Sequence, residues 1–167
     1  MQLDNPLIII YDALWDLLES SNEFKRLVRP GNRIRFDTRD PIKSEVQAGD
    51  LPEVRIVPVT SKPHLQSSSS STFIVETFEI QISTGDLRYT ELLFPVKWAI
   101  YCAMANWMNV LRTLKWHDKV FVLNTKPNVV TDGASKADMD RRIVGWASVW
   151  SCEVMMCFAT TDMIGEL

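Results

Sequence analysis

The chain is poor in the side chains from which catalytic and metal sites are built. It has two histidines and three cysteines in 167 residues. His64 lies in a serine-rich segment, and His117 follows a tryptophan beside Asp118, so we expect structural roles for both histidines. No cysteine–histidine set has the spacing of zinc ligands. The sequence also lacks a phosphate-binding loop, a dinucleotide fingerprint and a nucleophile elbow. We therefore expect no metal, no cofactor and no enzymatic activity.

The cysteines lack the pattern of a disulfide framework. They are odd in number, and their spacing is not paired. Cys102 lies among helix-forming residues, whereas Cys152 and Cys157 lie in an apolar strand. We expect all three to be small buried hydrophobic side chains.

Charge and hydropathy exclude two further classes. The net charge of −3 gives no overall attraction to nucleic acid or to an anionic membrane. The N-terminus has no basic region, and the apolar run from Leu7 to Ile10 is followed closely by Asp12. We therefore predict no signal peptide and no membrane span, and a protein made in the cytoplasm. The length predicts one domain over 1–167.

Periodicity in the first half of the chain alternates between helical and extended patterns. Asn5 can cap a helix that has Pro6 at its first position, and apolar residues follow at helical spacing. The predicted elements are a helix Pro6–Glu19, a helical turn Glu23–Val28, a strand Arg33–Phe36, an exposed loop Asp37–Asp50, a strand Glu53–Thr60 and a mobile loop Ser61–Ser71.

In the second half, an alternating strand precedes a long apolar-faced helix. The strand runs from Thr72 to Ser83, and Pro95 indicates either a helix start near Phe94 or a kink there. The inward positions of this helix are Val96, Ile100, Ala103, Trp107, Val110, Leu111 and Leu114. Further predicted elements are a strand Lys119–Asn124, a loop Thr131–Met139, a strand Arg142–Ala159 with its even positions inward, and a loose tail Thr160–Leu167.

These elements predict an α+β fold. The turns and loops that join the strands are too short for parallel crossovers, so the sheet should be mostly antiparallel, with one long and one shorter helix packed on one face. Six tryptophans are many for this length. Trp15, Trp107, Trp146 and Trp150 fall on predicted core faces. Trp98 and Trp116 do not, and an aromatic side chain off the core face also suits a protein interface.

A cluster of basic residues stands out in this acidic chain. Seven occur between Lys25 and Lys43, whereas Asp37 and Asp40 are the acidic residues among them. Alternation places Arg33 and Arg35 on one side of a strand. The cluster is either a solvated face neutralised by Asp37 or Asp40, or a contact surface for an acidic partner or for passing DNA phosphates. Its candidate contact residues are Arg29, Arg33, Arg35, Arg39 and Lys43.

The second candidate is the Ser61–Ser71 loop. Five consecutive serines give it no apolar surface to bury, and it joins two strands for which a short turn would suffice. We interpret the extra length as a docking loop that becomes ordered on assembly. Its candidate contact residues are His64, Gln66, Ser67, Ser68, Ser69 and Ser70.

Three segments together resemble a family of viral proteins. They are residues 12–18 with the following Leu27–Asn32, residues 51–58, and the strand–helix unit through Phe94–Ile100. In order and spacing, the chain resembles the tail-terminator or tail-completion proteins of long-tailed bacteriophages.

That resemblance implies a homo-oligomeric ring, usually a hexamer, at the head–tail junction of the virion. The ring would terminate the tail tube and join it to the neck. The implied partners are the tail tube protein and a head–tail connector or stopper protein, and phage DNA would pass through the lumen without specific recognition. The fold it implies is a sheet with two helices and a mobile hairpin loop, whose position Ser61–Ser71 matches.

Two alternatives stay open at this point. A head–tail connector or stopper would also form a ring. From a different class, a small-molecule enzyme or ligand-binding α+β domain would place its site under the Thr131–Met139 loop.

Overall fold

The computed structural model describes residues 5–35, 52–63, 68–84, 91, 93–130 and 145–164. Its helices are α1 Pro6–Ser20, α2 Asn22–Leu27, α3 Phe94–Ala103, α4 Trp107–Arg112 and α5 Thr160–Ile164, with 3-10 segments at Pro30–Asn32 and Met104–Asn106. Its strands are β1 Arg33–Ile34, β2 Glu53–Pro63, β3 Ser71–Thr84, β4 Lys115–Trp116, β5 Lys119–Val120, β6 Val122–Pro127 and β7 Gly145–Ala159. The predicted loops Asp37–Asp50 and Thr131–Met139 lie outside the described residues.

Helix α1 begins as its sequence predicts. The side chain of Asn5 accepts a hydrogen bond from the Leu7 amide at 2.9 Å, and Pro6 occupies the first turn. Ile10, Leu14 and Leu18 are fully buried, and together with inward residues of α3, α4 and the sheet they form one core. The long inward stripe of α1 thus anchors it on one face of the sheet.

The described strands form a five-stranded sheet in the order β1-β2-β3-β7-β6 and a separate hairpin of β4 and β5. Every pair in the large sheet is antiparallel except β1 and β2, so the predicted α+β class with a mostly antiparallel sheet is confirmed. The pairing of β1 with β2 is parallel, with Arg33 opposite Val54. The expectation that all connections are too short for a crossover was wrong here, because the chain between β1 and β2 exceeds the dozen or so residues that a parallel crossover needs.

Strand β2 is longer than predicted. It continues through Ser61 to Pro63, and Ser61 pairs with Glu76 of β3, so the first three residues assigned to the loop are strand. The register shifts between Pro58 and Thr60. Proline has no amide hydrogen to donate to the ladder, which explains an irregularity beside Pro58.

Strand β7 contains a bulge that reverses its inward face. Ile80 pairs with Trp150, but the next residue of β3, Gln81, pairs with Ser148, so Val149 has no partner in the ladder. The inward residues are therefore even-numbered from Trp150 onward, whereas Ala147 is the inward residue before the bulge, opposite Ile82. The prediction that the even face runs unbroken was wrong at Ser148, because one extra residue shifts a period-two pattern.

The long helix is two helices joined by a tighter turn. Helix α3 starts at Phe94 with Pro95 in its first turn, the first of the two possibilities that the sequence left open. The segment Met104–Asn106 is 3-10, and α4 then continues to Arg112. Trp107 of α4 contacts Trp150 of β7 edge to face, with ring centroids 5.0 Å apart. The prediction that these two tryptophans lie between the helix and the sheet is confirmed.

The β4–β5 hairpin and α5 are two short elements that contact each other. His117 and Asp118 both have positive φ, of 49° and 61°, and they form the turn between β4 and β5. Positive φ at both central residues is the geometry of a tight hairpin turn. Lys119 of β5 binds Asp162 of α5 at 2.7 Å. The prediction of a loose tail was therefore wrong for Thr160–Ile164, which are helical.

Candidate assembly surface

Arg33 is held inside the subunit rather than offered to a partner. Its Nε and Nη2 atoms donate to the carbonyl oxygen of Val28 at 3.1 and 2.9 Å. The guanidinium lies 5.7 Å from the ring centroid of Phe24 and 3.8 Å from a carboxylate oxygen of Glu19. These contacts lock the end of α2 against the start of β1.

Arg35 is neutralised in the same way. It lies 3.6 Å from Asp12 and 3.7 Å from Glu19, and its guanidinium is 5.3 Å from the ring centroid of Trp15. Within the described residues, the acidic partners of both arginines come from α1. Asp37 and Asp40, the partners that one hypothesis from the sequence proposed, lie outside those residues. Helical spacing alone gave no sign of this, because the pairing depends on how α1 lies across the entry to β1.

The rest of the basic cluster divides into exposed and undescribed residues. Arg29 is exposed, and Arg26 is paired with Glu23 one helical turn away. Arg39 and Lys43 lie outside the described residues. The described part of the cluster therefore consists of Arg33 and Arg35, which are paired within the subunit, and of exposed residues that include Arg29.

The serine segment is partly described. His64, Gln66 and Ser67 lie outside the described residues, whereas Ser68, Ser69 and Ser70 are exposed. The Ser68 hydroxyl accepts hydrogen bonds from the amides of Ser70 and Ser71, at 3.3 and 3.2 Å. The Ser68 amide donates to the carbonyl of Ser71 at 2.8 Å. These bonds form a turn that leads into β3.

The outward face of α3 and α4 carries a stripe of apolar side chains that sequence reasoning missed as a set. Phe94 is 52% exposed, Trp98 67%, Tyr101 40% and Met108 42%. With the exposed Ala105 of the 3-10 segment, these residues recur at steps of four and three, the spacing of neighbours on one side of a helix. We call these five residues the outer stripe. The signal was present in the sequence, since Trp98 stood apart from the inward residues.

The helical run that bears the outer stripe is apolar on both sides. Val96, Ile100 and Leu111 face the core, while the outer stripe faces away from it. A helix that is hydrophobic all round is typical of a buried position. Because the inner face already fills the core of the subunit, the outer stripe remains as an exposed apolar surface.

Between residues 94 and 112, the charged side chains are of one sign. No aspartate or glutamate occurs from 94 to 112, whereas Lys97 and Arg112 do. The ammonium of Lys97 lies 5.9 Å from the ring centroid of Tyr101. Arg112 donates to the side chain of Asn124 at 3.4 Å. The candidate surface is therefore apolar with a basic margin.

Among the residues that the structure describes, two carboxylates are buried in the sheet. Glu53 is paired with Arg55, its neighbour on the same face of β2. Glu76 lies on the inward face of β3, where burial raises its pKa and a hydrogen bond with Ser61 opposes that rise. The Oε2 atom of Glu76 has no hydrogen-bond partner. Burial of the ionised Glu76 side chain therefore lowers the stability of the fold.

The other chemically active groups have structural surroundings. Cys152 is buried, and its surroundings raise the pKa of the thiol far above the ordinary value, so it is inert as a nucleophile. Cys102 is exposed and Cys157 is half-buried, so the prediction of three buried cysteines holds only for Cys152. Trp116, which the sequence placed off the core, is buried against Phe158.

A cavity of about 230 Å³ opens where α1 begins beside the sheet. Its lining is mostly apolar and includes Leu7, Trp116, Phe158 and Met163.

Within the described ranges, no group of three or more histidine, cysteine or acidic side chains is arranged to hold a metal ion. Among those same residues, no helix has the length and hydropathy that a membrane span requires.

The fold resembles that of the gp17 protein of bacteriophage SPP1, with a TM-score of 0.43 and 18% sequence identity. The similarity covers 90% of this chain and 89% of gp17. The sequence matches no family model and no curated protein.

Proposed function

We propose that the chain is a structural subunit of a phage tail or neck that assembles with further copies of itself. The observation that carries this proposal is the outer stripe, where Trp98 exposes 67% of its surface on a helix whose other face is already buried. Large exposed apolar patches on a folded domain typify protein–protein contact sites. The function is thus one of contact between proteins.

The viral role rests on the resemblance of three segments to tail-terminator or tail-completion proteins. Those segments contribute to α1, β2 and α3, each of which supplies buried residues to the core of this subunit. In the proposed role, six subunits form a ring that ends the tail tube, contacts the tail tube protein on one side and meets a connector or stopper on the other. DNA passes through the lumen without specific recognition.

The two surfaces predicted from sequence have secondary roles in this proposal. Arg29, which is exposed, would line a contact or the lumen together with Arg39 and Lys43. Arg33 and Arg35 would support this exposed surface from inside the subunit, because acidic residues of α1 neutralise their charges. The segment that ends in Ser68–Ser70 would dock on the neighbouring neck protein.

The direct test is the mass of the purified protein in solution, followed by electron microscopy of the same sample. We expect a homo-oligomer with a central hole, at high concentration or on isolated tail tubes. A subunit that is monomeric under all these conditions and absent from purified phage particles would contradict the proposal.

A genetic test separates joining from other roles. Particles made without this protein should accumulate as unjoined heads and tails, and supply of the protein in trans should restore joining. Complete infectious particles in its absence would contradict the proposed role.

A further inference from the structure

Two helical surfaces of this subunit carry charged side chains of opposite sign. The outer stripe has Lys97 and Arg112 at its margin and no acidic residue from 94 to 112. Helix α1, by contrast, has no basic residue and three acidic ones, Asp12, Asp16 and Glu19. Arg33 and Arg35 pair with Asp12 and Glu19, so Asp16 is the acidic side chain that α1 offers to a second copy.

The exposed side of α1 is also apolar at its start. Leu7 is 38% and Ile8 is 40% exposed, and Ile8, Asp12, Asp16 and Ser20 follow one another at steps of four along the helix. We call these four residues the α1 edge. Asp12 is paired with Arg35, whereas Asp16 is exposed and makes no ion pair within the described part of the chain. The α1 edge is thus an apolar surface with an acidic margin.

The size of the outer stripe agrees with the centre of an interface. Whole aromatic side chains present about 150–250 Å² each, so the exposed parts of Phe94, Trp98 and Tyr101 amount to something on the order of 300 Å². A stable interface buries roughly 800 Å² on each partner. The outer stripe therefore needs a polar surround, which Lys97 and Arg112 begin to supply.

Charge argues against contact between two outer stripes. A two-fold antiparallel arrangement would bring the Lys97 end of one stripe to the Arg112 end of the other at both ends of the contact. Like charges at an interface oppose association. Contact with the α1 edge avoids these repulsions and brings one of the basic residues to Asp16.

We infer that the outer stripe of one copy packs on the α1 edge of a second copy. This inference rests on the proposed function, since it names the partner of the same surface. Trp98 and Tyr101 supply the apolar centre opposite Ile8, and Arg112 or Lys97 meets Asp16. Both halves of the contact lie on every subunit, so the same contact can repeat from copy to copy.

Cross-linking through Cys102 tests the contact, because this cysteine is exposed beside Tyr101 on α3. A second cysteine is placed on the α1 edge as Ile8→Cys or, separately, Ser20→Cys, and the full chain is oxidised under mild conditions. The matched control is Lys62→Cys, which is exposed on β2. The experiment uses the oligomer in solution or, if the subunit is monomeric there, purified particles.

We expect disulfide-linked dimers from Ile8→Cys or Ser20→Cys, none from Lys62→Cys, and loss of the dimers when Cys102→Ser is added. Dimers formed by Cys102 alone would show stripe-to-stripe contact and overturn the inference. Oligomers without any cross-link, or cross-links from Cys102 only to another virion protein, would also overturn it while leaving the proposed function intact. A subunit that never assembles and is absent from particles would overturn both.

A charge exchange gives an independent readout that needs no new cysteine. Arg112→Glu should weaken association about fivefold, the scale of one exposed ion pair. Asp16→Arg should do the same, and the double variant should regain most of the loss. Loss that is additive in the double variant would overturn the pairing of these two margins.

Discussion

Trp107 and Trp98 lie nine residues apart on the same helical run, yet their surroundings are opposite. Trp107 is 7% exposed and contacts Trp150, whereas Trp98 is 67% exposed. Burial of an aromatic side chain stabilises the folded subunit, but an exposed one contributes little until something covers it. The comparison separates residues that hold the subunit together from residues that the folded subunit leaves exposed.

The largest effect on the free energy of unfolding is expected for a substitution in the core. Trp107→Ala removes a buried ring from the contact with Trp150 and should lower the free energy of unfolding by about 3–5 kcal/mol. Denaturant melts of the purified subunit would measure it, with Trp98→Ala as the matched control on the same helices. A loss below about 1 kcal/mol would place Trp107 outside the core.

A middle-sized effect is expected where α1 meets β1. Arg35→Ala removes two ion pairs and the contact with Trp15, and it should lower the free energy of unfolding by about 1 kcal/mol. The loss should shrink as salt is raised, because part of the side chain is in solvent. Arg29→Ala is the control, since Arg29 is exposed. Equal losses from the two variants would contradict the internal pairing.

Glu76 tests the cost of burying a carboxyl group through the pH dependence of stability. Burial raises its pKa in the folded state, so folding favours the protonated form. Its contribution to stability is therefore fully present below the unfolded pKa and is lost as pH rises through the folded pKa. Glu76→Gln should thus match the parent at low pH and become more stable above it, by roughly 1 kcal/mol for each unit by which the pKa is raised.

Glu23 provides the opposite sign for the same melts. Its hydrogen bond with Arg26 lowers its pKa, so its contribution is present above the unfolded pKa and is lost as pH falls through the folded pKa. Glu23→Gln should therefore lose stability at neutral pH and match the parent in acid. If both variants shift in the same direction, the assignment of burial as the cause for Glu76 fails.

The smallest effect on the free energy of unfolding is expected for the exposed Trp98. Trp98→Ala should change the free energy of unfolding by no more than about 0.5 kcal/mol, the usual range for a surface substitution. It should nonetheless reduce assembly, as measured by the mass of the protein at matched concentration. A variant that unfolds easily would show that Trp98 supports the subunit itself.

Much of the fold could be predicted from local sequence pattern. The error in the inward face of β7 shows where such patterns fail. The Asn5 cap, the helix start near Phe94 and the contact of Trp107 with Trp150 follow from helical and strand spacing. The wrong inward face at Ser148 came from a single bulge, which alternation cannot reveal because only the partner strand shows that a residue is extra.

The candidate site was predicted less well than the fold. Arg33 and Arg35 were identified as notable, but their partners on α1 lie at least fourteen residues away in the chain, beyond any local rule. The outer stripe was visible only through Trp98. A search for a second apolar stripe on a helix already assigned to the core would have found the rest.

By itself, the sequence determined which segments are helical or extended, because propensity and periodicity act over three or four residues. It also determined that α1 is acidic and that the run from 94 to 112 is basic. Only the tertiary structure decided the parallel pairing of β1, the bulge at Val149 and the partners of the two arginines. Those features depend on which distant segments pack together, and burial of the core, rather than local spacing, makes that choice.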